Sequence, residues 1–152
     1  MARYYLKLAH EDGADCIDIK LDIPRNLDAS VENDLAGIVG DLLENDVRAA
    51  AEARRATPCE AHDAFLTLRA RTANGIVTIT QDNSYEHVEP DGRGSFASTN
   101  PHGGIGLQSI RETARARQGN ARFEARDGVF LSSVYLRVIG DREASSCTPE
   151  ER

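Results

Sequence analysis

The longest periodic pattern of hydrophobic positions lies between Val31 and Arg54, where apolar residues recur every three or four positions. This spacing predicts an amphipathic helix with one face turned towards a core. Asp28 or Ser30 stands where an N-cap belongs, because either side chain can accept a hydrogen bond from a free N–H of the first turn. The apolar face comprises Leu35, Ile38, Val39, Leu42, Leu43, Val47 and Ala50.

One acidic residue interrupts this apolar face. By helical angle, Asp46 falls in the middle of the stripe, between Leu35 and Val39. A buried carboxylate is costly unless it is paired, hydrogen-bonded or protonated. We therefore expect either a buried partner for Asp46 or looser packing of the helix around it.

Near-alternating apolar positions elsewhere predict five strands, and four of these pair as two hairpins. The strand runs are residues 16–23, 64–72, 75–81, 121–125 and 129–138. Asn74-Gly75 joins the second and third runs, and Asp127-Gly128 joins the last two. Asn-Gly and Asp-Gly between alternating runs are strong signals for two-residue hairpin turns.

The order of the elements indicates the fold class. Two further helices are predicted, one over residues 2–12 and one from about residue 105 to residue 118, which Gly119 ends. The polar stretch 83–104, which directly precedes the second of these helices, has the length of a functional loop. Strands that come in pairs with helices between them predict an α/β (α+β) two-layer sandwich. Its sheet is mixed, mostly antiparallel, and covered on one face by helices.

Composition limits the chain to one acidic domain. We assign residues 1–140 of the 152 to it and residues 141–152 to a polar tail. The net charge of −7 argues against nucleic acid or an anionic membrane surface as a partner. No apolar run approaches the roughly 20 residues of a membrane span, so we expect no direct membrane contact. Three scattered cysteines predict reduced thiols and a cytoplasmic location.

Three groups of polar or small residues are candidates for chemistry. On the long helix, Asp41, Asn45 and Arg48 share one flank at the border of the apolar stripe. A carboxylate, an amide and a guanidinium one turn apart can hold a divalent cation and the phosphates that it neutralises. The alternative is an ordinary solvated helix face with a local Asp/Asn contact.

The second and third groups flank the long loop. Asp82-Asn83-Ser84 can hydrogen-bond the edge of a flat heterocycle, or can form a simple turn. Gly104 and Gly106, with Leu107, begin the last helix, where glycine lets the backbone approach a ligand and free N–H groups meet phosphate. A plain loop-to-helix junction is the alternative. Neither a complete GxGxxG nor a GK[ST] sequence is present.

In their order and spacing, these three groups resemble the N, G1 and G2 boxes of the GHKL ATPase superfamily. The matching segments are GDLLEN at 40–45, DNS at 82–84 and GIGLQSI at 104–110. The likeness is strongest to the ATP-binding catalytic domain of bacterial sensor histidine kinases, in the branch that contains peptide-pheromone receptors. Asp-Ile-Pro at 22–24 and Gly-Val-Phe at 128–130 also match that branch. The resemblance extends over residues 4–138.

The resemblance implies the Bergerat fold, with ATP and Mg²⁺ held between the helices and a flexible lid formed by residues 83–103. Asn45 would coordinate Mg²⁺, Asp41 would occupy the position of the base-like catalytic residue, and Arg48 would face the phosphates. Asn83, or alternatively Asp82, would bind the adenine amino group.

At the other end of the nucleotide, Gly104, Gly106 and Leu107 would lie beside the triphosphate. Two residues depart from the family pattern. Ser84 stands where the first glycine of the G1 box is expected, and Asp46 replaces a small residue.

The function implied by the resemblance is that of a two-component kinase catalytic domain. It would transfer the γ-phosphoryl group of ATP to a histidine on a separate upstream dimerisation domain, and indirectly to a response regulator. The helical start suggests a boundary just after that domain, so we expect little activity from this chain alone. The alternatives are a stand-alone interaction module, similar to the anti-sigma-factor serine kinases, and a degenerate domain with nucleotide-dependent partner binding.

Overall fold

The computed structural model describes residues 16–56, 65–84 and 105–138. Within them lie five strands and two helices: β1 (Cys16–Asp22), α1 (Ala29–Ala56), β2 (Phe65–Ala73), β3 (Ile76–Ser84), α2 (Ile105–Ala116), β4 (Asn120–Arg126) and β5 (Val129–Arg137). The predicted helix over 2–12, most of the predicted lid, Gly104 and the tail 141–152 lie outside the described residues. No helix in the described ranges is long and apolar enough to cross a membrane.

Both predicted hairpins are confirmed. Ala73 pairs with Ile76 across the first turn, and Arg126 pairs with Val129 across the second. Asn74 and Gly75 both have positive φ, as do Asp127 and Gly128. Positive φ at both central residues is the feature of a type I′ turn, whose twist matches that of the flanking strands.

The five strands form one sheet in the order β1-β2-β3-β5-β4. β1 and β2 are parallel, and every other neighbouring pair is antiparallel. Both helices contact strands of this sheet. The prediction of a mixed, mostly antiparallel two-layer sandwich is therefore confirmed. The parallel pair requires a crossover, and α1 supplies it, since it connects β1 to β2.

The core lies between the sheet and the apolar stripe of α1. Leu35, Ile38, Leu42 and Leu43 are buried as predicted, and Val39 packs against the same cluster. α1 begins at Ala29, where the carbonyl of the preceding residue accepts the first helical hydrogen bonds from Val31 and Glu32. That residue is Asp28, so the cap lies there and Ser30 is inside the first turn. The buried apolar strand residues are Leu66, Leu68, Ala70, Val77, Ile79, Ala121, Phe123, Val134 and Leu136.

The two helices run antiparallel to each other. Near the end of α2, Arg117 Nε donates to Asp34 Oδ2 at 2.7 Å, which joins it to the first turns of α1. At the other end, Gly106 in the first turn of α2 lies beside Asn45 of α1. These contacts join residues that are 83 positions apart in the chain at one end of α2 and about 60 apart at the other. The polar flank of α1 and the glycine-containing start of α2 therefore meet at one end of the helical layer.

α2 ends in a Schellman motif. Gly119 N–H donates to the Ala114 carbonyl at 2.8 Å, and Gln118 N–H donates to the Arg115 carbonyl at 3.0 Å. Gln118, not Gly119, adopts the left-handed conformation, with φ of 55°. Gly119 is required for a different reason, because a Cβ placed there would lie 1.8 Å from the Tyr135 carbonyl oxygen.

Replacing Gly119 should therefore destabilise the protein severely. In Gly119→Ala the new methyl group meets rigid backbone of β5, and we expect a loss of at least about 3 kcal/mol in the free energy of unfolding. Gly37→Ala is the matched control, since nothing lies within 4 Å of a Cβ at that helical position. The control should gain about 0.5–1 kcal/mol. Urea denaturation of both variants measures the difference, and equal stabilities would contradict the backbone contact.

Candidate functional site

The polar flank of α1 lies at the boundary between core and solvent, as predicted. Asp41, Asn45 and Arg48 are all half-buried. Arg48 Nη2 donates a hydrogen bond of 2.5 Å to Asn45 Oδ1. Asn45 Nδ2 is buried and has no hydrogen-bond partner among the described residues. Leaving a buried amide nitrogen without a hydrogen-bond partner costs free energy. This favours a role for Asn45 in binding a ligand.

The start of α2 completes this end of the helical layer. A Cβ built on Gly106 would lie 3.6 Å from Asn45 Nδ2 and 3.9 Å from Asp41 Cβ. The Ser109 side chain hydrogen-bonds the Asp41 carboxylate. Burial raises the pKa of Asp41, the hydrogen bond from Ser109 partly opposes this, and the negative charge of Glu44 raises the pKa a little further. Asp41 is therefore easier to protonate than a free aspartate.

The geometry at the end of β3 distinguishes Asn83 from Asp82, the two candidates for recognition of the adenine base. Asn83 is 3% exposed and lies on the side of the sheet that faces the helices, in phase with the buried Val77 and Ile79. Asp82 points to the opposite side, where it lines an open cavity of about 410 Å³ together with Thr80. Of the two residues, only Asn83 faces the layer that contains Asn45.

Ser84 lies in β3 as well, so residues 82–84 are not a simple turn. Its Oγ accepts a hydrogen bond of 3.2 Å from the Phe65 N–H at the start of β2. Asn83 Nδ2 donates to the Ser84 carbonyl at 3.1 Å. Ser84 therefore fixes the end of the strand through both its side chain and its backbone.

Asp46 has the buried partner that its position in the stripe required. The side chain is 2% exposed, and its Oδ1 accepts a hydrogen bond from Gln81 Nε2. Burial raises the pKa of Asp46 well above 3.8, although the hydrogen bond from Gln81 lowers it in part. Gln81 Nε2 also lies 3.4 Å from Asn83 Oδ1. Asp46, Gln81 and Asn83 therefore form one chain of side chains beneath the polar flank of α1.

Two residues of this region were not among the sequence candidates. Gln81 ends the predicted third strand, and its inward phase after Val77 and Ile79 is the signal that could have singled it out. A polar residue in phase with buried neighbours needs a partner, and Asp46 was the other misfit. Ser109 gave no such signal, since a serine on an amphipathic helix is common in any sequence.

The donor atoms fit a magnesium ion that takes most of its ligands from a nucleotide. Asn45 Oδ1 and the Asp41 carboxylate are oxygen donors one helical turn apart. Asn45 Oδ1 already accepts from Arg48, which leaves it a second lone pair. In the ranges that the structure describes, no group of three or more His, Cys, Asp or Glu side chains could hold a metal. Asn45 and Asp41 supply the one or two protein oxygens that Mg²⁺ takes when phosphate oxygens complete its coordination.

A family model described as the GHKL domain matches residues 32–137. This match covers well over half of the chain, so the protein belongs to the GHKL family. The matched region runs from the first turns of α1 to the end of β5 and includes all the described candidate residues. No curated protein matches the chain in sequence.

Solved structures of similar fold include histidine kinase domains. The histidine kinase domain of the blue-light-activated histidine kinase EL346 from Erythrobacter litoralis superposes with a TM-score of 0.64 at 12% identity, over 90% of this chain and 58% of that one. The Acinetobacter baumannii histidine kinase AdeS gives 0.59 at 11%, over 91% and 64%. The catalytic domain of histidine kinase ThkA gives 0.61 at 12%, over 90% and 86%. This chain therefore spans under two thirds of the first two structures and has the fold of histidine kinase catalytic domains.

The buried acid gives a prediction on stability. Because the folded state raises the pKa of Asp46, it binds a proton more tightly than the unfolded chain does. The stabilisation from that proton is complete below the unfolded pKa and is lost as the pH rises through the folded pKa. Asp46→Asn cannot ionise, so its stability relative to the wild type should grow by up to about 1.4 kcal/mol per pH unit within that window.

Urea denaturation of both proteins from about pH 4 to about pH 8 measures this difference. Asp22→Asn is the control, because Asp22 is exposed at the end of β1. Its stability difference from the wild type serves as the baseline for an exposed aspartate. A pH dependence of Asp46→Asn no larger than this baseline would contradict the raised pKa of Asp46.

Proposed function

We propose that this chain is the ATP-binding catalytic domain of a two-component sensor histidine kinase. ATP would bind with Mg²⁺ where α1 and α2 meet, and the γ-phosphoryl group would pass to a histidine on a separate dimerisation domain. The phosphoryl group would then pass from that histidine to a response regulator. The observation that favours this most is the convergence of Asn45, Asp41 and Gly106 at the junction of the two helices.

Each residue at this junction has a chemical task that suits it. Mg²⁺, when bound, neutralises phosphate charge and polarises the transferred group. Asn45 offers an uncharged oxygen ligand, and Arg48 offers a guanidinium that can leave Asn45 for a phosphate oxygen. The first turn of α2, with Gly106 and Leu107, presents backbone N–H groups without helical partners to the same anion. We assign the same anion-binding role to Gly104 from the sequence.

Asn83 and Asp41 complete the proposal. Asn83 lies on the helix-facing side of β3 and offers one acceptor and one donor to a nucleobase edge. Asp41, with its raised pKa, is our candidate for the residue that handles a proton near the transferred phosphoryl group. A catalytic domain of this kind positions and neutralises the phosphates, while the acceptor histidine lies elsewhere. We therefore expect nucleotide binding but little phosphorylation from the chain alone.

The comparisons do not favour a stand-alone interaction module over this function. The peptide-pheromone-receptor branch and the cytoplasmic location remain predictions from the sequence.

Calorimetric titration with a non-hydrolysable ATP analogue, with and without Mg²⁺, tests the proposal. We expect binding that strengthens with Mg²⁺, and a loss of that Mg²⁺ dependence in Asn45→Ala because the oxygen ligand is gone. Asn33→Ala, an exposed asparagine on the same helix, should bind like the wild type. No binding by the wild type at millimolar nucleotide would refute the proposed function.

Gly106→Ala separates binding from folding. The added methyl group meets Asn45 only at ordinary contact distance, so we expect unchanged or slightly higher stability. The same group fills the space beside Asn45, and ATP affinity should fall by roughly tenfold or more. Calorimetry and urea denaturation on one preparation give both values. Undiminished affinity would place the phosphates away from Gly106.

A further inference from the structure

The hydrogen bonds that link the side chains of Asp46, Gln81 and Asn83 into one chain have a defined direction from donor to acceptor. Gln81 Nε2 has two hydrogens, and two acceptors face it: Asp46 Oδ1 and, at 3.4 Å, Asn83 Oδ1. Asn83 Nδ2 in turn donates to the Ser84 carbonyl. The Asp46 oxygen that receives a hydrogen from Gln81 acts as an acceptor, and a backbone carbonyl can only accept, so these two groups define the ends of the chain.

The direction fixes the orientation of the last amide. Rotating the Asn83 amide by 180° would place its NH₂ against the NH₂ of Gln81 and its oxygen against the Ser84 carbonyl. Both contacts would be repulsive, and these groups are buried, with Gln81 1% and Asn83 3% exposed. Without Asp46, the Gln81 amide could rotate as well, and only the Ser84 carbonyl would then favour this orientation of Asn83.

We propose that Asp46 and Gln81 are positioning residues that hold the Asn83 amide in one orientation, and thereby make the site select a purine with a 6-amino group over one with a 6-oxo group. This inference rests on the proposed function, since it assumes that Asn83 faces the base. Asp46 and Gln81 contact no ligand themselves and act only through Asn83.

The selection follows from the atoms that Asn83 keeps free. Its Oδ1 retains a second lone pair, and its Nδ2 retains a second hydrogen. Adenine offers an amino donor beside a ring acceptor, and this pairs with an amide oxygen and an amide N–H. Hypoxanthine, placed in the same way, offers a carbonyl where adenine has the amino group. A freely rotating asparagine would accommodate both bases, whereas a fixed one rejects the second.

The decisive variant exchanges the two buried groups. In Asp46→Asn with Gln81→Glu, the shapes, the net charge and the number of hydrogen-bonding groups are preserved. The amide introduced on α1 can then donate to the carboxylate introduced on β3, and that carboxylate can only accept from Asn83. The introduced carboxylate is a stronger acceptor than the Ser84 carbonyl, so the direction of the chain is reversed and the Asn83 amide should rotate.

The measurement is the ratio of affinities of the full chain for ATP and for inosine triphosphate, obtained by calorimetry. We expect the wild type to prefer ATP by about tenfold or more. In the exchanged variant the preference should fall below about threefold or reverse. A variant that folds and keeps the wild-type ratio overturns the inference.

Two further variants keep the test decisive. Asp46→Leu with Gln81→Met replaces the polar pair by apolar side chains of similar size, and should remain folded while losing the ATP preference. Ser132→Ala is the control, because Ser132 is buried, pairs with Gln81 in the sheet, and lies outside the chain of amides. It should keep the wild-type ratio. If the apolar variant keeps the wild-type ratio of ATP to inosine triphosphate affinity, Asp46 and Gln81 contribute only to packing and the inference is overturned.

A readout without nucleotide separates this inference from the proposed function. In NMR spectra of the free protein, the side-chain NH₂ hydrogens of Gln81 should exchange with solvent far more slowly than those of the exposed Gln118. Equal exchange rates would overturn the positioning role, whether or not ATP binds. Slow exchange in a protein that binds neither nucleotide would instead refute the proposed function and leave the hydrogen-bonded chain intact.

Discussion

The structure depends on the burial of one face of α1 against the sheet. That face is apolar except at Asp46, and the buried side chains of the sheet are apolar except at Gln81, Asn83 and Ser132. Asp46 and Gln81, in opposite layers, hydrogen-bond each other in a core where a polar group without any partner is costly. The apolar contacts thus fix α1 on the sheet, and the polar contact fixes the register at the end where the candidate site lies.

The antiparallel pairing of the two helices explains why the candidate residues are so widely spaced in sequence. Asp41 and Asn45 are half-buried beside the stripe of α1, and α2 returns along that flank from Gly106 towards Arg117. The start of α2 therefore lies beside Asp41 and Asn45, and its end lies against the first turns of α1. A nucleotide site shared between two helices in this way depends on both being seated on the same core.

Much of this arrangement was predictable from the sequence. The three-and-four spacing gave α1, Asn-Gly and Asp-Gly gave the hairpins, and the order of the elements gave the sandwich. The hydrogen bond from Gln81 to Asp46 was not predictable, because it depends on the register between a helix and a strand 35 residues apart. The reason for Gly119 at the end of α2 was not predictable either, because the close approach of β5 is a tertiary contact, and the left-handed residue is Gln118.

The two type I′ hairpins also bear on how the sheet assembles. Each joins strands that are adjacent in sequence, so its contacts are local and form within microseconds in typical peptides. The β3–β5 pairing then unites two preformed hairpins along the centre of the sheet. The parallel β1–β2 pairing instead has to close a crossover that contains all of α1, and such long-range closure is slow. The folding barrier of this domain should accordingly lie in seating the first strand and its helix, after the antiparallel part has formed.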